Sequence, residues 1–390
     1  MQPKTKIKFD EESFNRLKRT IRNMSVTDKE RHMNTKYATE VPDEVGIQLT
    51  YKCNLRCKHC FEWSEDGFCT KLDKEEQLSE IDIDVLQRIF DETKERKSNM
   101  YIWGGEPFCY SNWDKFVDIL SKDKRWTVLC TNGTMIDKKL DSILKISDTL
   151  ALLISLDGFQ VENDNVRGKG TFNKVIENIK MLVDLKKKGI YKGEISVNCV
   201  ITDEMVDKLY DFMEYFEEIG VNTVYFCFPW YIPEETADKM DIYFKENFAW
   251  LNTLDEKGTA SWHSYTYSLN SDLIDTLEKE LEKINNRVWK IRIRIQPAVE
   301  PDEIRPFAMG EELPAQNRTT CLAMSNRMNI EANGNVVMCK MFPEFKVGNI
   351  NEGTVKEIWH NDTITKCREK IGCGLMPICS KCILLYLHGK

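Results

Sequence analysis

Between residues 45 and 228 six short apolar runs alternate with amphipathic helical patterns, and this alternation constrains the fold more than any other feature. The runs are VGIQLTY (45–51), MYIWG (100–104), TVLCT (127–131), LALLISLD (150–157), EISVNCVI (194–201) and TVYFCF (223–228). Helical patterns lie near 82–96, 112–122, 137–146, 171–188 and 204–219. Near-continuous apolar strands separated by helices imply a parallel sheet with helices outside. No closing seventh and eighth units are evident. The expected fold class is therefore α/β, a partial (β/α)6 barrel of parallel strands.

Beyond residue 228 the pattern changes. PEETADKMDIYFKENFAWLNTLDEK and SDLIDTLEKELEKINNRVW read as helices, KIRIRIQP as a strand, and 298–318, rich in Pro and acidic residues, as a connecting loop. In MNIEANGNVVMC an Asn-Gly pair sits between alternating apolar residues, the strongest short hairpin signal. TVKEIWHNDTITKCREK is again helical. The expected division is an N-terminal extension (1–44), a barrel core (45–232), a helical and strand continuation (233–309), and a small β-hairpin/helix domain bearing cysteines (310–390).

No run of eighteen apolar residues exists, so no membrane span is expected. The start, MQPKTKIKFDEESFNRLKRT, lacks the apolar stretch of a secretory signal, and a cytoplasmic location follows. A formal charge of −8 argues against a nucleic-acid partner, which needs a basic footprint. Residues 1–40 are the exception, with ten Lys/Arg against six Asp/Glu. They read as a solvated, partly helical extension, or as a basic arm for an acidic partner.

Fourteen cysteines in a reducing compartment point to metal or catalysis rather than disulfides. Eight fall in two groups, Cys53, Cys57 and Cys60, and Cys321, Cys339, Cys373, Cys379 and Cys382. Most others, among them Cys69, Cys109, Cys130, Cys199 and Cys227, read as small buried apolar residues. The densest stretch, YKCNLRCKHCFEW, supplies Cys53, Cys57 and Cys60 from one loop after the first strand. Structural zinc takes four closed ligands, and a cubane iron–sulfur cluster is usually held by four thiolates. Three thiolates leave one iron open to an external ligand. His59, between two ligands on a tight loop, is poorly placed to be a fourth.

The unusual residues gather at the carboxyl ends of the strands, where ligand groups collect in parallel folds. GGEP (Gly104, Gly105, Glu106, Pro107) follows strand two, TNG strand three, and SLDG closes strand four. Glycines let backbone approach a ligand closely, and Glu106 can accept charge-assisted hydrogen bonds from an ammonium. Asn132 in TNG reads as a turn residue, and Asp157 in SLDG as another.

C-x3-C-x2-C followed by an aromatic, Phe61, at the end of the first strand of a βα array resembles the radical S-adenosylmethionine (SAM) superfamily. The resemblance covers about residues 45–230. It implies a [4Fe–4S] cluster on Cys53, Cys57 and Cys60 whose open iron binds the amino and carboxylate groups of SAM. One electron then cleaves the sulfonium to a 5′-deoxyadenosyl radical, and the protein's task is to place that radical. It further implies that Gly104, Gly105, Glu106 and Pro107 hold the methionine amino group, that Ser155 meets the ribose, and that Arg167, in NVRGKGTF, pairs with the methionine carboxylate. VNCVIT lies beside adenine.

In the second group Cys321 is followed by twelve residues, Gly334, four residues and Cys339, and later by Cys373, Cys379 and Cys382. A hairpin ending in Cys339 and a terminal C-x2-C can gather four thiolates for zinc or a closed cluster. The pattern, with VGNINEGTVKEIW between, resembles the SPASM/twitch extension of many radical SAM enzymes. A full SPASM domain has seven cysteines around two clusters. Here the order differs and four good candidates remain, Cys321, Cys339, Cys379 and Cys382. One auxiliary [4Fe–4S] cluster is thus implied, with ligation by Cys367 or Cys373 left open.

The leading class is an enzyme, a radical SAM oxidoreductase that abstracts hydrogen from a substrate carbon. The first choice is maturation of a ribosomally made peptide by crosslink, thioether or oxidation. The alternative is oxidation, dehydration or epimerisation of a small molecule such as a sugar. A reductant such as ferredoxin or flavodoxin would be a partner. YFCFPWYIP (225–233) lines the pocket or packs under a loop. The rival class, a non-enzymatic iron–sulfur or zinc protein, does not explain the coincidence of Glu106, Ser155 and Arg167 at neighbouring strand ends. No catalytic acid or base, substrate or oligomeric state is legible.

Overall fold

A computed structural model of the chain describes residues 4–65, 67–254, 259–311, 318–372 and 374–389. The six apolar runs form parallel strands β1 (Glu44–Gln48), β2 (Asn99–Trp103), β3 (Thr127–Thr131), β4 (Leu150–Ser155), β5 (Glu194–Val200) and β6 (Thr223–Cys227), paired in chain order. Successive strand residues face opposite sides, and the register turns that into two unlike faces. Ile47, Ile102, Leu129, Leu152 and Ile195 lie in one row and are fully buried. Helices such as α2 (Thr171–Lys187) cover this side with Val175, Ile179 and Leu182. Each such aliphatic side chain contributes about 1.5–3 kcal/mol on burial.

The opposite face is polar, so the strands alternate more than their apolar runs suggest. There the Cys130 thiol donates to Tyr101 Oη at 3.0 Å. Cys227 Sγ lies 3.0 Å from Asn198 Oδ1 and 3.1 Å from Gln296 Oε1.

The sheet continues past the six expected units at both edges. KIRIRIQP contributes β7 (Arg292–Gln296), parallel to β6. On the far edge β8 (Arg327–Ile330) pairs parallel with β1, and β9 (Asn335–Val337) and β10 (Lys346–Asn349) follow antiparallel as the Asn-Gly hairpin and its return strand. The result is one ten-stranded sheet, and no pairing among the described residues closes it into a barrel. The cysteine-bearing C-terminal segment therefore shares the main sheet, and its Phe345, Ile358 and Trp359 belong to the main core.

The N-terminal extension is helical, as expected, but is not merely solvated. Helix α1 (Glu11–Met33) is capped by Asp10, whose carboxylate accepts from Ser13 N at 2.7 Å. It crosses the amino ends of four strands in turn. Arg16 stacks on Trp126 at 3.5 Å, Arg19 donates to Asn99 at 2.7 Å, Asn23 to Asp43 at 3.0 Å, and Arg31 to Ser325 Oγ at 2.7 Å. No described helix is long and apolar enough to cross a membrane.

Candidate metal and cofactor site

The three-cysteine loop leaves β1 at its carboxyl end and is fastened to the next strand end. Gly105 N donates to Thr50 O and Glu106 N to Lys52 O, both at 2.8 Å. A Cβ on Gly104 would come within 2.8 Å of Thr50 O, and one on Gly105 within 2.3 Å of Tyr51 O. The close approach these glycines permit is thus to the backbone of the cysteine loop itself. Trp63 Nε1 donates to Tyr51 O at 2.7 Å and closes the loop from its far side. Within it Leu55 N points at Cys53 Sγ (3.5 Å) and Trp63 N at Cys60 Sγ (3.3 Å).

Glu106 is fully buried beside this loop. Its Oε1 accepts from Thr131 Oγ1 (2.7 Å) and Phe108 N (3.2 Å), and its Oε2 from Asn132 N (2.7 Å). Burial pushes its pKa up to about 7, although these hydrogen bonds favour the carboxylate. Pro107 opens the short 3-10 turn that supplies Phe108 N. Asn132 is the expected turn residue: its Oδ1 accepts from Thr134 N at 3.0 Å, while its Nδ2 reaches Asn54 in the cysteine loop at 2.8 Å.

Arg167 also reaches the cysteines. Its Nη1 lies 3.9 Å from Cys57 Sγ, but its Nε is committed to Asp157 Oδ2 at 2.6 Å. Asp157, expected as a turn residue, is fully buried, accepts from Val200 N at 3.0 Å and lies 2.9 Å from His59 Nε2. Burial works against its charge, yet Arg167 and His59 hold the carboxyl well below the usual range. The Asp157–His59–Arg167 anchor was missed from sequence. The signal was an acid at a strand end and a histidine between two ligands. His59 faces this carboxylate. Ser155 is half-buried at the end of β4, in register with Asn198.

Phe61 stacks on Trp230 (5.4 Å between ring centres), Tyr265 (6.3 Å) and Phe68 (6.5 Å). The aromatic run 225–233 therefore divides: Phe226 and Phe228 are core, whereas Trp230 lies over the cysteine loop.

In the second group Cys321, Cys339 and Cys382 lie close enough to Cys379 to disfavour its ionisation, and Cys321 and Cys339 do the same to Cys382. Burial is the first cause and pushes Cys339 up to about 12. Cys379 and Cys382 flank one turn, with Cys382 N donating to Cys379 O at 3.1 Å, and Cys382 Sγ lies 3.9 Å from Met341 Sδ. Cys367 is buried in helix α3 (Asp362–Gly372), and the charged groups acting on it are Arg368 and Lys366, not the other thiols. Cys373 lies outside the described residues.

Buried, mutually repelling thiols suit a metal centre, because a bound cation inverts their pKa logic and deprotonates them. Neither described cysteine group has three sulfurs mutually within 4.8 Å; among the described residues only Asp238, Asp241 and His263, largely exposed, meet that spacing. A tetrahedral zinc with bonds of about 2.3 Å draws its sulfurs closer than this.

Comparison with known proteins agrees. Residues 47–213 match the family model of the radical SAM superfamily, and residues 321–383 that of the SPASM iron-sulfur cluster-binding domain. The mycofactocin maturase MftC of Mycolicibacterium smegmatis is 35% identical over 168 residues, 42% of this chain and 39% of that protein. The AdoMet-dependent heme synthase of Methanosarcina barkeri is 23% identical over 355 residues, 88% and 92% of the two chains. Among solved structures, Streptococcus suis SuiB superposes with a TM-score of 0.59 at 17% identity, covering 94% of this chain and 75% of SuiB. The chain spans less than half the length of the curated relatives it first matches. It carries a radical SAM domain followed by a SPASM domain, and these imply a SAM-binding [4Fe–4S] cluster and an auxiliary cluster.

Proposed function

We propose that this chain, with its radical SAM domain and SPASM domain, is an enzyme that modifies a ribosomally made peptide by hydrogen abstraction from an unactivated carbon. The observation that carries the proposal is the three-cysteine loop, pinned at the carboxyl end of β1 with Glu106 and Arg167 against its thiols. Cys53, Cys57 and Cys60 would hold an open [4Fe–4S] cluster. When bound, cluster and SAM together supply a 5′-deoxyadenosyl radical.

The chain's own residues bind and orient. Glu106 offers its carboxylate to the methionine ammonium, held rigid by Thr131 and Asn132. Arg167, steadied by Asp157, directs its remaining N–H groups toward the methionine carboxylate. Ser155 takes the ribose, and Phe61, stacked on Trp230, walls the site against water. Cys321, Cys339, Cys379 and Cys382 would hold the auxiliary cluster. The division at 44, 232 and 309 is then functional, because the sheet runs through it. A ferredoxin- or flavodoxin-type reductant and a cytoplasmic location complete the proposal.

Peptide maturation is favoured because one relative is named as mycofactocin maturase and one solved structure is SuiB bound to the precursor peptide SuiA. A small-molecule substrate is the second proposal. It is supported by the heme synthase, a relative matched over most of both chains. The test is mass spectrometry of 5′-deoxyadenosine from anaerobically reconstituted, chemically reduced protein, with deuterium traced from candidate substrates. Formation no greater than in Cys57→Ala would sink the enzyme proposal. Deuterium transfer from a small molecule and from no peptide would select the second.

A further inference from the structure

Two arginines beside the second cysteine site are buried with no carboxylate partner among the described residues. Arg31, on α1, is 5% exposed, and Arg368, on α3, is fully buried. They grip the segment that follows Cys321 from two sides. Arg368 Nε donates to Met324 O at 2.7 Å, and Arg31 Nη1 to Ser325 Oγ at 2.7 Å and Thr35 O at 3.3 Å. Arg368 stacks on Trp359 at 4.5 Å, and its Nη2 has no hydrogen-bond partner. Cys321 favours a charged Arg31 and the neighbouring Cys367 a charged Arg368, while Arg31 disfavours charge on Arg368. Arg327 nearby differs, since it is paired with Glu44 at 2.8 Å.

A buried, unpaired cation is strongly destabilising, and two side by side are worse. Such a pair persists where an anion sits close by. Four thiolates carry four negative charges, which a cubane core only partly cancels, and Cys321 opens the very segment the two arginines hold.

We infer that Arg31 and Arg368 are the charge-compensating side chains of the second cysteine site, supplied by the N-terminal extension and by α3 to an anionic, closed iron–sulfur cluster. They touch no substrate; they tune and stabilise. Positive charge favours the more negative, reduced cluster, so they raise its reduction potential. The extension would then be part of the auxiliary site rather than an appendage. Burial, with Arg31 nearby, pushes Arg368 down to about 9.

The inference rests on the four cysteines holding a cluster, and the experiment separates the two. Full-length wild type, Arg368→Met, Arg368→Lys and Arg31→Met are each melted iron-free and cluster-loaded. The potential of the second site is read by EPR-monitored redox titration in a Cys57→Ala background, where only its signal remains. Without iron, Arg368→Met should melt no lower than wild type, because an uncompensated charge is gone. With the cluster it should melt lower. Both Met variants should shift the potential to more negative values, and Arg368→Lys should keep it. Equal destabilisation with and without iron, failure of iron-free Arg368→Met to fold, or an unchanged potential at full iron would each overturn the inference while leaving the cluster in place. Full iron in Cys379→Ala/Cys382→Ala would instead remove the cluster on which it rests.

Discussion

The two cysteine groups lie on opposite logical sides of one sheet. The first is a single loop at the carboxyl end of β1, and its charged neighbours are already matched: Asp157 with Arg167 and His59, Glu106 with three donors. The second is gathered from the start of β8, the end of the hairpin and the terminal turn, and two of the arginines beside it, Arg31 and Arg368, have no carboxylate partner among the described residues. The difference follows from what each site must do. An open cluster has to leave room for a zwitterionic ligand, so its polar groups must be pre-arranged and individually satisfied. A closed cluster meets no ligand, and its surroundings need only balance its charge.

The largest break in that comparison comes from the open site. Cys57→Ala should abolish 5′-deoxyadenosine formation, because three thiolates are already the minimum; iron should fall from about eight per chain to about four. Retained wild-type product release would show that the loop is not the cluster site.

Next is the closed site. Cys379→Ala with Cys382→Ala should also halve the iron and stop product formation, yet leave slow, uncoupled cleavage of SAM. The shared sheet bears on the accompanying stability. Because β8 pairs with β1 and Trp359 lies in the common core, protease sensitivity should rise around the terminal turn rather than across all of 310–390. About twelve irons in the wild type would bring Cys367 or Cys373 into play and dissolve the single-auxiliary-cluster proposal.

A smaller effect distinguishes binding from ligation. Glu106→Ala and Arg167→Ala should each weaken SAM by roughly 1.5–3 kcal/mol, about ten- to a hundredfold, with iron unchanged. Arg167→Ala also strips Asp157 of its main partner, so it should be the less stable of the two. Equal affinity in both variants and the wild type, by equilibrium binding, would move the ligand elsewhere.

How much of this was readable beforehand depends on locality. The six parallel strands were legible because each is a short, near-continuous apolar run set between helical patterns. The cysteine loop and GGEP were legible because their spacing is local. β7 and β8 were not placed: RIRIQ and RMNI are short, and their partners β6 and β1 lie 69 and 283 residues away along the registered pairs. The Asp157–His59–Arg167 anchor was missed because its members come from three segments and were read separately: Asp157 as a turn residue, His59 as a poorly placed ligand, and Arg167 as a partner of the methionine carboxylate. Helix α1 was taken as solvated because its docking uses one polar or cationic side chain per strand, leaving Phe14, Leu17 and Ile21 exposed and no apolar stripe toward the sheet. Glu106 was legible as a candidate for binding, but the three donors that hold it come from residues whose approach only the fold reveals.

The smallest expected effect is a pH dependence at Glu106, and its two parts have opposite signs. Burial raises this carboxyl to about 7, so without ligand the folded chain holds a proton that the unfolded chain has lost between its ordinary range and 7. The folded state binds more protons there, and the contribution of Glu106 to stability falls as pH rises through that window. Binding of an ammonium demands the opposite form. The ionised fraction of a group at about 7 changes about tenfold between pH 6 and 8, so SAM affinity should rise by about that factor. The ligand's own amino group loses its proton near 8 in any protein. The informative quantity is therefore the wild-type profile divided by that of Glu106→Gln, which carries no titrating group. A ratio that rises with pH through 7, while ligand-free wild type loses stability relative to Glu106→Gln, places the carboxylate against the ammonium. A flat binding ratio with the stability trend intact would leave Glu106 as a buried brace for the cysteine loop and nothing more.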